Sequence, residues 1–219
     1  MIESSAEVLV PRAPSVEPPG DASARDRILH SAAALFPGAR IRVTGVDALI
    51  EGAGVAKATF YRHFPSKDDV VAAWLEESQA RWLDAVVAGL EEKETTPLGR
   101  LVGFWEAMGA WAEADGFRGC PYLNTLGEIR DRQHPAFPAI RSFISEVESY
   151  LSKTATEAEI PGASELAREL LSLAMGTWTA MVLEASARPA STARAVAVTL
   201  VANRLGTTPE EIEHQIARI

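Results

Sequence analysis

The chain is poor in cysteine and in long apolar stretches. Its 219 residues include a single cysteine, Cys120, which excludes an intrachain disulfide and fits a reducing compartment. No uninterrupted apolar run approaches the ~20 residues that a membrane-spanning helix needs. The first 20 residues also lack a positive segment followed by an apolar one, as a secretory signal would have. We therefore expect a cytoplasmic protein without a membrane partner.

The sequence also lacks the common signatures of enzymes. It contains no phosphate-binding GxxxxGK[ST] loop, no GxSxG turn and no dinucleotide fingerprint that follows a strand. Glu211 and His214 form one Glu-x-x-His pair, whereas metal sites in helical bundles use two such pairs with further carboxylates. We expect no catalytic site, no metal and no cofactor.

Charge is divided unevenly along the chain. The net charge is −9 overall, yet residues 21–67 hold seven Lys or Arg against four Asp or Glu, a net of +3, while residues 68–219 carry −10. Because the local field is what meets a phosphate backbone, the acidic total does not exclude nucleic acid. Prolines crowd residues 1–20, which predicts a disordered arm. We expect a DNA-binding domain over residues 21–66 and a larger helical domain over residues 67–219.

Residues 44–67 have the pattern of a helix-turn-helix. Thr44 and Asp47 fit a capping box that opens one helix, and Gly52 and Gly54 bracket its end. A second helix is predicted from Lys57 to Phe64, with Phe60 and Phe64 inward and a polar set of side chains outward. Lysine and arginine neutralise phosphates, and threonine, tyrosine and histidine form hydrogen bonds that fix the register on a duplex. Ser66 and Asp69 predict a further cap, for the next helix.

The run from Val55 to Lys67 resembles the recognition segment of the TetR family of transcriptional regulators, and Arg25 to Phe36 is similar to the first helix of that family. The resemblance implies an all-α protein with an N-terminal three-helix DNA-binding domain and a larger C-terminal domain for ligand binding and dimerisation. Ala56 departs from the family, which places Ser or Thr there. The second helix of the motif should therefore lack a side-chain N-cap.

The resemblance also assigns roles to residues. Lys57, Tyr61, His63 and Lys67 match positions that hold the DNA backbone, as does Thr44 at the start of the preceding helix. Ala58 and Thr59 match positions that face base edges. From its charge and place, Arg42 either reaches the DNA backbone or is only a solvated surface charge. The partner would be double-stranded DNA with a palindromic operator.

Beyond Ser66 the pattern is helical throughout. We expect helices over residues 66–90, from Thr96-Pro97 onward, over 122–130, from His134-Pro135 onward, over 164–187 and over 193–205, with a short capped helix at Thr208 to Glu211. Arg188-Pro189 should break the chain between the last two long helices. Both of those are apolar on several sides, so they either close the monomer core or form a homodimer face, and the resemblance favours the dimer.

The larger domain is rich in aromatic residues and methionine, which fits either an ordinary core or an effector pocket. The resemblance favours a mostly apolar effector whose binding releases the DNA. The proposed ligand residues are Trp105, Met108, Trp111, Cys120, Tyr122, Phe143, Trp178 and Met181, with Glu106, Asn124, Glu128 or Glu184 as polar candidates. Two alternatives stay open: a thiol-based sensor of oxidants or electrophiles that acts through Cys120, and a helical ligand-binding protein without a DNA function.

Overall fold

The computed structural model describes residues 22–37, 40–94, 96–114, 117–129 and 131–217, apart from the side chains of residues 79–82. The predicted N-terminal arm lies outside these ranges. Every regular element within them is a helix, which confirms the all-α expectation. The helices are α1 (Ala24–Leu35), α2 (Val46–Ala53), α3 (Lys57–His63), α4 (Lys67–Lys93), α5 (Pro97–Glu113), α6 (Pro121–Glu128), α7 (Phe137–Glu157), α8 (Ala163–Glu184), α9 (Arg188–Leu205) and α10 (Pro209–Ala217).

The described residues fall into two compact units. The first, here called the head unit, contains residues 22–80 together with residues 120–143. The second, here called the body unit, contains residues 81–119 and 144–217. The head unit therefore includes a segment that lies far along the chain from the helix-turn-helix. In the described part of the chain, none of the helices is both long and apolar enough to cross a membrane.

In the head unit, α1 packs against α2 and α3. Ser23 caps α1 by accepting a hydrogen bond from the Asp26 N–H at 3.2 Å. Gly52 lets α2 approach α1 closely, since a Cβ built there would lie 2.3 Å from Ser31 Oγ. Gly54 ends α2 in the left-handed conformation, with φ +59°, as the turn requires.

The local capping predictions had different outcomes. The capping box of Thr44 and Asp47 is wrong, because α2 begins after Gly45 and has no side-chain cap. The missing cap of α3 is confirmed, since Ala56 occupies that place. The predicted cap of Ser66 on Asp69 is also confirmed, with the Asp69 N–H donating to Ser66 Oγ at 3.2 Å.

In the body unit, α9 packs against α5, α8 and α10. The predicted break at Arg188-Pro189 is wrong in its place: α8 ends at Glu184, and α9 begins at Arg188 rather than at Ala193, so Pro189 lies in the first turn of α9. Proline is tolerated in the first turn of a helix because the N–H groups there have no partner inside the helix. The final helix is held in place by Arg194 of α9, which forms a forked ion pair with Glu213 and donates to Glu106 of α5 at 3.1 Å.

Candidate nucleic-acid interface

The outer face of α3 is polar and open to solvent. Lys57, Ala58, Tyr61 and His63 are exposed and Thr59 is half-buried, while Phe60 and Phe64 are buried on the opposite side. The i, i+4 spacing predicted that both phenylalanines face inward; Phe60 lies within α3, and Phe64 directly follows it as an extended C-cap, one residue beyond the end of the helix. Their burial fixes the rotation of α3, and so directs the candidate DNA-binding side chains outward.

Lys57 remains available to an external anion. Its ammonium lies 3.9 Å from the Asp47 carboxylate, and both side chains are largely exposed. An exposed pair at this distance is weak and is screened by salt. A phosphate can therefore replace Asp47 as the partner of Lys57 at little cost.

The turn between α1 and α2, residues 40–45, contains two candidate DNA-binding residues in different environments. Arg42 is exposed, next to Val43 at 82% exposure. Thr44 is instead buried, and its hydroxyl donates to the Arg40 carbonyl at 2.7 Å. Lys67 donates from Nζ to the carbonyls of Ile41 at 2.9 Å and Thr44 at 3.1 Å. Thr44 and Lys67 thus stabilise this turn, whereas Arg42 projects from it.

Glu128, the last residue of α6, also holds this turn. One carboxylate oxygen accepts the Ile41 N–H at 3.1 Å and the other accepts the Arg42 N–H at 2.8 Å. Sequence reasoning proposed Glu128 only as a polar ligand candidate and missed this role. No sequence signal could have found it, because 86 and 87 residues separate the partners.

Two further polar contacts join residues 120–143 to α4 within the head unit. The buried hydroxyl of Tyr122 donates to the Leu75 carbonyl at 2.6 Å. His134 Nε2 lies 3.3 Å from an Asp68 carboxylate oxygen, while its Nδ1 accepts the Ala136 N–H at 3.1 Å. Tyr122 also stacks on Phe143, with ring centroids 3.9 Å apart and planes 6° from parallel.

The proposed ligand residues do not all belong to one unit. Cys120, Tyr122 and Phe143 lie in the head unit and are buried. The other five lie in the body unit: Trp105, Met108, Trp178 and Met181 are buried there, and Trp111 is half-buried. The indole nitrogen of Trp105 is buried without a hydrogen-bond acceptor among the described residues.

A shallow groove of about 600 Å³ contains none of these eight residues. It lies along α7 from Ser145 to Glu157, beside Ser164, and is lined by hydroxyl and charged side chains. Such a lining does not suit a mostly apolar effector, which needs apolar walls with few polar groups.

Cys120 is chemically quiet in this environment. Its side chain is 2% exposed, and burial raises the pKa of the thiol to about 12. Since the thiolate is the reactive form, almost none of this residue is reactive near neutral pH. This argues against the thiol-sensor alternative.

In the ranges that the structure describes, no three His, Cys, Asp or Glu side chains cluster as a metal site would require.

Comparison with known proteins agrees with this geometry. Residues 28–74 match the family model of bacterial regulatory proteins of the tetR family, and residues 97–197 match a tetracyclin repressor-like C-terminal domain. The HTH-type transcriptional repressor KstR2 of Mycobacterium tuberculosis is 34% identical over 85 residues, which is 39% of this chain and 42% of that protein. The Mycolicibacterium smegmatis KstR2 is 31% identical over 90 residues, covering 41% and 43%. These alignments span less than half of the relatives' length.

Solved structures extend the likeness over most of the chain. A TetR-family transcriptional regulator from Streptomyces coelicolor has a TM-score of 0.74 at 25% identity and covers 83% of this chain and 95% of its own. A TetR-type regulator from Streptomyces avermitilis has a TM-score of 0.66 at 30% identity, covering 84% and 98%.

Proposed function

Because the chain belongs to the TetR family of bacterial transcriptional regulators, we propose that it is a repressor that binds a palindromic operator as a homodimer and leaves it when a small, largely apolar effector binds. Membership makes it a DNA-binding regulator and not an enzyme. The observation that carries the proposal is the outward polar face of α3, with Phe60 and Phe64 buried behind it. Since such a regulator acts on chromosomal DNA, we also propose that it is cytoplasmic.

On the proposed DNA, α3 enters the major groove. Lys57, Tyr61 and His63 bind phosphates, as does Arg42 from the turn before α2. Ala58 and the methyl group of Thr59 face base edges, where a thymine methyl is the matching apolar group. Two of the residues for which the resemblance implied contact with the DNA backbone also have a structural role. Thr44 and Lys67 act by holding the turn, and Lys67 keeps one of its three ammonium hydrogens for a phosphate.

Repression is supported by the curated relatives, which are transcriptional repressors matched over about two fifths of this chain.

The proposed dimer is supported by exposed apolar residues on two adjacent helices of the body unit. Val182 and Leu183 of α8 are 47% and 86% exposed, and Val196 of α9 is 42% exposed. A two-fold pair of α3 helices then requires half-sites one helical turn apart, about 34–36 Å.

The proposed effector site consists of four buried side chains of the body unit. Trp105 and Met108 lie on α5, and Trp178 and Met181 lie on α8, which contacts α5. The unaccepted indole N–H of Trp105 favours an effector with a hydrogen-bond acceptor, such as a carbonyl or ether oxygen, on an apolar frame. The effector shifts the protein between two conformations only by its difference in affinity for them.

The test uses a duplex that the wild-type protein selects from a randomised library. We expect affinity to fall as salt rises, and Lys57→Ala to reduce the slope of log K against log salt by about 0.9, the value for one lost phosphate contact. Tyr61→Phe should also weaken binding. Lys153→Ala is the matched control, because Lys153 is an exposed lysine on α7 in the body unit. Absence of salt-dependent binding, or a Lys57→Ala variant that behaves as the control does, would refute the proposal.

A further inference from the structure

The turn between α1 and α2 presents two adjacent backbone N–H groups at its start. Residues 40–44 form one helical turn, closed by the Thr44 N–H donating to the Arg40 carbonyl at 3.0 Å. At the start of such a turn, the N–H groups of Ile41 and Arg42 have no backbone acceptor within it. Both donate to the two carboxylate oxygens of Glu128. A charged acceptor makes these bonds stronger than neutral ones.

The opposite end of the same turn is held by a cation. Lys67 Nζ donates to the carbonyls of Ile41 and Thr44, while the Glu128 carboxylate accepts the N–H groups of Ile41 and Arg42. A negative group at the N–H end and a positive group at the carbonyl end both complement the dipole of a helical turn. The backbone that carries Arg42 is therefore fixed from both sides, by α4 and by α6.

Glu128 lies in a segment that belongs to the C-terminal domain by sequence and to the head unit by its contacts. By sequence it lies inside the C-terminal family match of residues 97–197. By its contacts it lies in the head unit, where Tyr122 is bonded to Leu75 and His134 is close to Asp68. The position of the turn thus depends on a helix that comes from the C-terminal part of the chain.

We propose that Glu128 is a positioning residue for DNA binding, which holds the turn so that Arg42 meets a phosphate and makes that contact depend on the placement of α6. The inference rests on the proposed function. The direction of the change in DNA affinity distinguishes this role from simple electrostatics. A carboxylate near DNA repels phosphates, so loss of the Glu128 charge alone would tighten binding. Loss of a positioning contact weakens binding instead.

The decisive experiment is a double-mutant cycle on the selected duplex, with dissociation constants measured over a salt series. Glu128→Gln keeps the size of the side chain but leaves one of the two N–H groups facing an amide NH₂. We expect it to weaken binding several-fold and to flatten the salt slope by about 0.9, as Arg42→Ala does. The double variant should bind no more weakly than Arg42→Ala alone. Glu76→Gln, at an exposed glutamate of α4 in the same unit, should leave the slope unchanged.

Hydrogen exchange on the free wild-type protein supplies a readout that needs no variant. The Ile41 and Arg42 amides should be protected, and fast exchange at both would overturn the inference. So would a Glu128→Gln variant that binds as tightly as the wild type or tighter, or whose effect adds fully to that of Arg42→Ala. If the wild type shows no salt-dependent binding, or Lys57→Ala binds normally, the proposed function itself fails, which is a distinct result.

Discussion

At the scale of single residues, Lys57 and Lys67 show how the surroundings of two lysines give them different binding partners. Lys57 is exposed, and among the described residues its ammonium pairs only weakly, with Asp47. Lys67 is half-buried and donates to two carbonyls. Both lysines match DNA-contacting positions of the family, yet only Lys57 presents its whole ammonium to solvent. The residue type predicts a cation, whereas its neighbours decide what that cation binds.

Ala56 leads to a prediction about stability. It is extended at the N-cap of α3, with φ −72° and ψ 149°, and no side chain caps the first turn. Ala56→Ser should raise the free energy of unfolding by about 0.5–2 kcal/mol, because its hydroxyl accepts a first-turn N–H. Urea unfolding measures this. Ala48→Ser, an exposed change inside α2, is the control and should not stabilise, since serine is a poorer helix former than alanine. Equal effects of the two changes would contradict the prediction.

Cys120 leads to a second prediction at this scale. The folded protein at neutral pH should not react with a thiol reagent such as DTNB, because only the thiolate reacts. After denaturation, each chain should react once and set free one equivalent of thionitrobenzoate. The pKa of the Cys120 thiol is about 12 when folded, against 9.0 ordinarily. Because the pKa of the thiol is higher in the folded state, its full contribution to the free energy of unfolding is present below pH 9 and is lost as the pH rises toward 12. The stability difference between wild type and Cys120→Ala should shrink over that range. Rapid labelling of the folded protein would contradict the assignment.

At the scale of elements, α6 shows how one short helix can be fixed at both ends. Tyr122 in its first turn bonds to Leu75 of α4, and Glu128 at its last residue bonds to the turn before α2. Cys120 precedes it as an N-cap without a side-chain hydrogen bond, and Pro121 opens its first turn. The helix is therefore placed by tertiary contacts more than by its own capping.

Removing the hydroxyl of Tyr122 tests that placement. Tyr122→Phe keeps the ring that stacks on Phe143 but deletes the donor to the buried Leu75 carbonyl. We expect the free energy of unfolding to fall by about 0.5–1.5 kcal/mol, the net contribution of one hydrogen bond, because the Leu75 carbonyl lies inside α4, where the helix itself supplies a second donor. Tyr61→Phe makes the same chemical change on exposed α3 and should stay within about 0.5 kcal/mol of wild type. The prediction fails if the two variants are equally stable.

At the scale of the whole molecule, the exposed apolar residues of α8 and α9 are the feature that a monomer does not explain. Leu183 is 86% exposed, while Met181 two residues earlier is fully buried. Together with Val182 on the same helix and Val196 on α9, which packs against α8, it gives the body unit exposed apolar surface of the kind that typically marks an interface. A homodimer would bury this surface.

The corresponding prediction concerns assembly. Leu183→Glu should convert the protein from dimer to monomer in analytical ultracentrifugation, because it places a charge in a dehydrated face. It should also weaken binding to the palindromic duplex, since one α3 reads only a half-site. Leu126→Glu, on α6 of the head unit and 37% exposed, adds the same charge elsewhere and should remain dimeric. A Leu183→Glu variant that stays dimeric would remove this face from the assembly.

Much of the fold could be predicted because its signals are local. The helix from Pro97 with its Thr96 cap follows from neighbouring residues and is present, with the Gly99 N–H donating to Thr96 Oγ1 at 3.0 Å. The burial of Phe60 and Phe64 follows from spacing in the same way. Local reasoning was wrong where two local solutions compete. Gly45 rather than Thr44 is the N-cap of α2, because the Thr44 hydroxyl donates back to the Arg40 carbonyl and does not accept an N–H of α2.

By itself, the sequence determined the helices, the turn at Gly54, the outward face of α3 and the family, because each depends on residues within a few positions of one another. Only the tertiary structure decided that Lys67 and Glu128 hold the turn before α2, and that residues 120–143 join the head unit. Those contacts join groups 23 to 87 residues apart along the chain. No periodicity or cap records such pairs, because they arise only when separate helices pack and leave backbone groups that a distant charge can satisfy.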